Sequence, residues 1–321
     1  MNDRILVTGG AGFIGANVAA ALAKQGQADV LVVDNFSSGD WHNLIDLDCE
    51  LRACEANNPR LLDEIAAGAF TAIMHQAAIT DTTVMDQRLM VEANTNAFAE
   101  LLAASAKSGG TRVVYASSAG TYGNSPAPNR IGTGEKPTNI YGFSKLAMDR
   151  VARRWYDRHP APVVGLRYFN VYGSGEAHKN EKTGTKTASM MLQLYQQVQA
   201  GKTPRLFKHG EQMRDFVYIR DVIGANLAAL KAPRSGVCNV GSGKARSFND
   251  VLAILGHELG RKLDVEYIDN PYPFYQMHTE ADLTQTGELL GWEPVWSLED
   301  GMGEYIRLLE GGASGPVELC A

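Results

Sequence analysis

Arg4-Ile5-Leu6-Val7-Thr8-Gly9-Gly10-Ala11-Gly12-Phe13-Ile14-Gly15 decides the fold. The first five residues are an apolar, β-branched run that reads as a buried strand. Gly10, Gly12 and Gly15 follow at G-x-G-x-x-G spacing, and a helical pattern opens there, running through Val18, Ala21 and Leu22 to a stop at Gly26. Val30-Leu31-Val32-Val33 is the next strand, ending at Asp34. Together these form a dinucleotide-binding fingerprint. The glycines let backbone and helix N-terminus approach a pyrophosphate, and a carboxylate about 20 residues on meets the ribose hydroxyls.

The alternation continues outward. Glu50 to Cys54 is a candidate third strand and Pro59 to Ala67 a helix. Ala72-Ile73-Met74-His75 is a strand ending in Gln76-Ala77-Ala78, small residues that let a ligand approach. Met85 to Ser108 reads as one long helix, and Arg112 to Ala116 as a strand with Ser117 and Ser118 at its end. Val163 to Tyr168 is a sixth strand and Val237 to Val240 a further one. The expected fold is α/β: a Rossmann-type doubly wound parallel sheet over 1–168, with returning segments from about 211–241. Residues 169–310 are expected to form a smaller C-terminal α/β substrate-binding cap, and 311–321 a frayed tail.

Composition narrows the function. The 321 residues are 45% hydrophobic and 21% charged, with net charge -6, so no basic excess exists to neutralise a nucleic acid. No apolar run is long enough to span a bilayer, and Met1-Asn2-Asp3-Arg4 leads directly into a strand without a signal-peptide pattern. A cytoplasmic protein without membrane partners is expected. Cys49, Cys54, Cys238 and Cys320 have no metal-ligand spacing and read as reduced thiols, so no metal site is expected.

The chemistry centres on Tyr141-Gly142-Phe143-Ser144-Lys145. Residues four apart share a helix face, which sets the phenol of Tyr141 beside the ammonium of Lys145. A nearby cation favours phenolate, so the tyrosine pKa is expected below its ordinary value of about 10 and the group suited to acid/base work. Ser118, at a strand C-terminus, faces the crevice in which ligands of open parallel sheets bind.

Thr8 to Gly15, Ala116-Ser117-Ser118-Ala119 with Thr121-Tyr122-Gly123, and Tyr141-x-x-x-Lys145 together resemble the extended short-chain dehydrogenase/reductase family. The resemblance implies that Tyr141 exchanges a proton with a sugar hydroxyl, that Ser118 hydrogen-bonds the same oxygen, and that Lys145 holds the nicotinamide ribose. It implies a tightly bound cofactor, NADP or NAD, contacted by Gly9, Gly12, Phe13, Ile14, Gly15, Asp34, Asn35, Gln76, Ala77, Ala78, Asn94 and Lys145. Ala119 and Gly120 follow Ser118 where the dehydratase branch has acidic residues, which disfavours water elimination.

The second half narrows the resemblance. Arg167-Tyr168-Phe169-Asn170-Val171-Tyr172-Gly173, Glu176-x-His178-Lys179, Lys186 to Met190, Arg214-Asp215-Phe216-Val217-Tyr218 and Tyr275-Gln276 resemble the ADP-glycero-manno-heptose 6-epimerase family. That implies an ADP-sugar substrate, oxidation at C6 and re-reduction, self-association, and substrate contacts at Asn170, Lys186, Phe207, Arg214 and Tyr275. It also implies a second acid/base lysine opposite the tyrosine, which the match places at Lys179. Extra residues between His178 and Ser189 keep Lys182 and Lys186 as alternatives. The residues themselves left Arg214 between a diphosphate contact and a salt bridge to Asp215 or Asp221. A phosphate-binding lysine beyond the Asp-Asn pair is missing from Asp34 to Asp40, so the residues favour NAD while the resemblance favours NADP. A 4-epimerase or reductase, and a non-catalytic dinucleotide sensor, are the rival readings.

Overall fold

The computed structural model describes residues 3–26, 28–181, 187–269, 276–312 and 315–317, with only the backbone of Glu181 and Lys208. Its centre is a seven-stranded parallel sheet. The first half supplies β1 (Asp3–Thr8), α1 (Phe13–Gln25), β2 (Ala28–Asp34), β3 (Glu50–Ala53), α2 (Pro59–Ala66) and β4 (Ala72–His75). It continues through α3 (Gln87–Met90), α4 (Ala97–Lys107), β5 (Arg112–Ser118), α5 (Ile140–Trp155) and β6 (Val163–Tyr168). β10 (Gly236–Val240) returns from the second half to pair with β6, giving the order β10-β6-β5-β4-β1-β2-β3. Chain direction across the sheet reverses between β1 and β4, the switch point where such sheets bind ligands.

Alternation along β1 explains the two-sided burial. Ile5 and Val7 pack with α1 residues such as Ala16 and Val18 on one face. Leu6 packs with Leu61, Phe98 and Met148, from α2, α4 and α5, on the other. Period-two side chains on a strand covered from both sides require this near-continuous apolar run.

The segment expected as one helix from Met85 to Ser108 is interrupted. α3 and α4 flank a π turn over Val91–Asn96. Asn94 and Thr95 sit in that turn and bond to α5: Asn94 Nδ2 donates to Ser144 Oγ at 3.0 Å, and Thr95 Oγ1 to the Ser144 carbonyl at 3.1 Å. Asn94 also exchanges two bonds with the backbone of Ile79 beyond β4. The wide turn thus serves side chains that local periodicity does not encode.

The second half contains β7 (Asn170–Tyr172), α6 (His178–Glu181), α7 (Met190–Gln199), β8 (Arg205–Phe207) and β9 (Met213–Tyr218). After α8 (Ile219–Ala229) and β10 come β11 (Ala245–Ser247), α9 (Phe248–Glu258), β12 (Glu266–Ile268), α10 (Thr284–Leu290) and α11 (Leu298–Glu310). β11, β9 and β7 form a three-stranded sheet, and β12 pairs with β8. Within 211–241, β9 pairs with β7 and β11 in the small sheet, while α8, against α1, and β10 return to the nucleotide half.

The frayed tail also needs correction. Gly315–Val317 is anchored, because Val317 buries its side chain in the core and its amide donates to Asn17 Oδ1 at 2.8 Å. A single apolar residue after a glycine-rich run gives little periodicity from which to read this. No helix among the described residues is long and apolar enough to cross a membrane.

Candidate active site

The glycine turn joins β1 to α1 under steric constraints that the sequence pattern reflects. A Cβ at Gly15 would stand 2.1 Å from the Gly9 carbonyl oxygen, so the helix crosses the turn only with glycine there. No side chain caps the N-terminus of α1 and no acid occupies its first turn. That leaves the amide end open to an anion, which fits a pyrophosphate. Asp34, buried at the end of β2, accepts from the amides of Ala11 at 2.9 Å and Phe36 at 2.8 Å. The residues present therefore fit a dinucleotide. Gln76, at the end of β4, donates to Asn226 and receives the Tyr168 hydroxyl at 3.2 Å. Asn94, expected at the cofactor, uses its amide on Ile79 and Ser144, bracing the loop after β4 against α5.

β5 ends at Ser118, whose hydroxyl accepts from the Gly120 amide at 3.1 Å and tightens the turn that follows. Asn139 caps α5 by accepting from the Gly142 amide at 2.8 Å. The next helical residues bring Tyr141 beside Ser118. Tyr141 keeps part of its surface open to the crevice, yet burial pushes its phenol up, with the Ser118 bond the opposing influence.

The expected lowering by Lys145 is not what this arrangement produces. Lys145 is buried and donates Nζ to the Ala116 carbonyl at 2.8 Å. Burial pulls its own ammonium down to about 8, against the attraction of Asp149. Ser118, Tyr141 and Lys145 are thus assembled, but in this structure Lys145 is turned to the strand end, and burial governs the phenol.

Below them lies a network that sequence reasoning missed. Asp149 continues the Tyr141–Lys145 stripe by one turn and meets the buried Arg167 of β6, Nη2 to carboxylate 2.7 Å. Arg167 also pairs with Glu135 at 2.8 Å and lies over the Tyr122 ring at 4.9 Å. Its guanidinium is held charged because Asp149, Tyr122 and Glu135 outweigh burial. The i, i+4, i+8 spacing of Tyr141, Lys145 and Asp149 was the available signal.

Lys179 lies on α6 with its ammonium 5.1 Å from the centre of the Phe13 ring, beside the first turn of α1. Burial lowers its pKa, and Glu176 opposes that. Its neighbour His178 meets Asn43, which donates to the Ala11 carbonyl at 3.0 Å. Asn17 likewise donates to the Ser174 carbonyl at 3.0 Å. The lysine segment is therefore fastened to the dinucleotide turn.

The expected substrate contacts are spread through the second half of the chain. Asn170 is exposed on β7, and Phe207 ends β8. Arg214 donates to the Met213 carbonyl and lies 5.8 Å from the Phe248 ring centre. Asp215 accepts from the Ser242, Gly243 and Ala281 amides, and Asp221 from those of Val295 and Trp296. Those bonds fix cap loops. Lys182, Lys186 and Tyr275 lie outside the described residues.

Residues 5–241 match the model of the NAD dependent epimerase/dehydratase family. The chain is 37% identical to an ADP-L-glycero-D-manno-heptose-6-epimerase of Cupriavidus pinatubonensis, over 96% of this chain and 99% of that protein. Among solved structures, the Helicobacter pylori ADP-L-glycero-D-manno-heptose-6-epimerase superposes with TM-score 0.89 at 44% identity, covering 96% of both chains. A UDP-N-acetylglucosamine 4-epimerase from Methanobrevibacter ruminantium superposes with TM-score 0.88 at 25% identity, covering 97% of this chain and 100% of that one.

Proposed function

Since the chain belongs to the NAD dependent epimerase/dehydratase family and is a nucleotide-sugar epimerase, we propose that its substrate is an ADP-glycero-manno-heptose inverted at C6. The observation that carries this reading is the placement of Tyr141 beside Ser118, one helical turn from a buried Lys145, in a chain similar over nearly its whole length to heptose epimerases. Bound nicotinamide supplies reversible hydride transfer. Tyr141 takes the C6 hydroxyl proton on one face and Ser118 hydrogen-bonds the same oxygen. Lys145, little hydrated and held at the strand end, orients the cofactor ribose. Lys179 serves the opposite face, since one tyrosine serves only one side of a carbon centre. Arg214 and Phe207 receive the nucleotide end, and the protein works in the cytoplasm as a self-associated assembly.

Purified protein mixed with ADP-heptose, followed by NMR, is expected to interconvert the C6 epimers without incorporating solvent deuterium at C6. The Tyr141→Phe variant is expected to lose at least about 100-fold in kcat while keeping its fold. Scrambling at C4, or no epimerisation by protein that contains nicotinamide, overturns the assignment.

A further inference from the structure

We propose that Glu176 is a positioning residue for Lys179, fastening both ends of the segment that carries the lysine. This rests on the reading of Lys179 as the second acid/base.

Glu176 is fully buried between β7 and α6. Its Oε1 accepts from the Gly173 amide at 3.3 Å, the Ser189 hydroxyl at 2.7 Å and the Tyr305 hydroxyl at 3.2 Å. Its Oε2 accepts from the Ser189 amide at 2.6 Å. Gly173 and Ser189 bracket the whole lysine segment, and Ser189 is also the N-cap of α7. One carboxylate therefore closes the segment at both ends and ties it to α11 through Tyr305.

An isolated buried carboxylate is strongly disfavoured, and burial raises the Glu176 pKa, while the attraction of Lys179 and the bonds from Ser189 and Gly173 oppose that rise. The Glu176 carbonyl also accepts from the Lys179 amide at 3.1 Å, so carboxylate and lysine share one turn of chain. Among the described residues, Tyr305 of α11 donates its hydroxyl to Glu176, and Lys179 of α6 attracts its carboxylate. Tyr305 in turn feels Tyr218 of β9 and Tyr195 of α7. The attraction between Glu176 and Lys179 keeps the buried ammonium protonated to higher pH than burial alone allows.

A neutral amide in its place removes that attraction and, with its NH2 where Oε2 stands, the acceptor of the Ser189 amide. The lysine then titrates lower. Where neutral Lys179 takes the substrate proton, the acid limb of kcat moves to lower pH, while KM changes little because the nucleotide contacts lie elsewhere.

The test compares wild type, Glu176→Gln, Glu176→Asp and Lys179→Met by kcat against pH with ADP-heptose. In parallel, 13C-labelled lysine is titrated by NMR, with Lys179→Met assigning the signal. Glu176→Gln is expected to lose about tenfold or more in kcat and to lower the Lys179 titration by about half a pH unit or more, with Glu176→Asp recovering part. An unmoved Lys179 titration in folded Glu176→Gln overturns the inference. If Glu176→Gln does not fold, Ser189→Ala decides: a several-fold lower kcat at unchanged KM supports the inference, and wild-type kcat overturns it. Wild type that fails to epimerise ADP-heptose sinks the substrate reading, whereas the lysine titration still decides the role of Glu176.

Discussion

Gly142 lies against Gly120 so closely that a Cβ on Gly142 would stand 2.4 Å from the Gly120 carbonyl oxygen. Gly120 is in the turn capped by Ser118, and Gly142 is the neighbour of Tyr141. The close approach of α5 to the end of β5 is therefore what lets the phenol reach the serine.

Gly142→Ala is expected to push α5 away from that turn. Small displacements of a reacting group cost about 100-fold in rate, so kcat is expected to fall by about that factor with KM little changed. Steady-state kinetics beside a circular dichroism melt checks this. A folded variant with wild-type kcat contradicts the packing argument.

Lys145 gives the stability of the protein a defined pH dependence. Its folded pKa is pulled from 10.5 to about 8, mainly by burial. Below about pH 8 the lysine is protonated folded and unfolded, and the native state bears the penalty of a buried charge. Between about 8 and 10.5 the folded protein has released the proton and the unfolded chain has not, so this group's contribution rises with pH, by about 3 kcal/mol in all. Lys145→Met is expected to lack that rise. Urea unfolding at about pH 7 and about pH 10 measures it, and equal pH dependence in the two proteins rejects the assignment.

The Arg167–Asp149 pair is buried, and Asp149 also receives the Tyr115 hydroxyl at 3.0 Å. Asp149→Asn leaves a buried guanidinium with less compensation and is expected to destabilise by about 3–5 kcal/mol. Arg167→Met combined with Asp149→Leu removes both charges and is expected to be less damaging than the single change. Denaturant midpoints compare them. A single variant within about 0.5 kcal/mol of wild type refutes a structural role for the pair.

What was legible in the chain follows from the range of the interactions. The strand, turn and helix from Arg4 to Gly26 rest on local sterics and an alternating apolar pattern, and the structure reproduces them. The positions of Ser118, Tyr141 and Lys145 were readable because a strand end and helix spacing fix them. The π turn at Asn94, the Asn43–His178 link and the anchoring of Val317 were not readable, because each depends on a partner far along the chain. The direction of the Tyr141 shift was misread for the same reason: spacing locates Lys145 but says nothing of the burial around the phenol or of the Ala116 carbonyl that takes the ammonium.

The loop after β2 bears on which nicotinamide cofactor the protein retains. Asp34 is buried and accepts two amides, so it is fixed in place rather than free to swing away. Asn35 is held by both carboxylate oxygens of Glu55, at 3.0 and 3.1 Å, which adds a second acid beside it. From Asp34 to Asp40 the chain has no lysine or arginine. A ribose diol suits the end of such a strand, whereas a 2′-phosphate would face like charge. At about 4 Å and an effective dielectric of about 20, one pair of like charges costs about 4 kcal/mol. The protein is therefore expected to retain NAD and to bind it at least about 100-fold more tightly than NADP. Mass spectrometry of the nucleotide released on denaturation, with calorimetry on stripped protein, provides the measurement. Recovery of NADP would mean that a cation from elsewhere in the fold screens Asp34, and the loop argument fails.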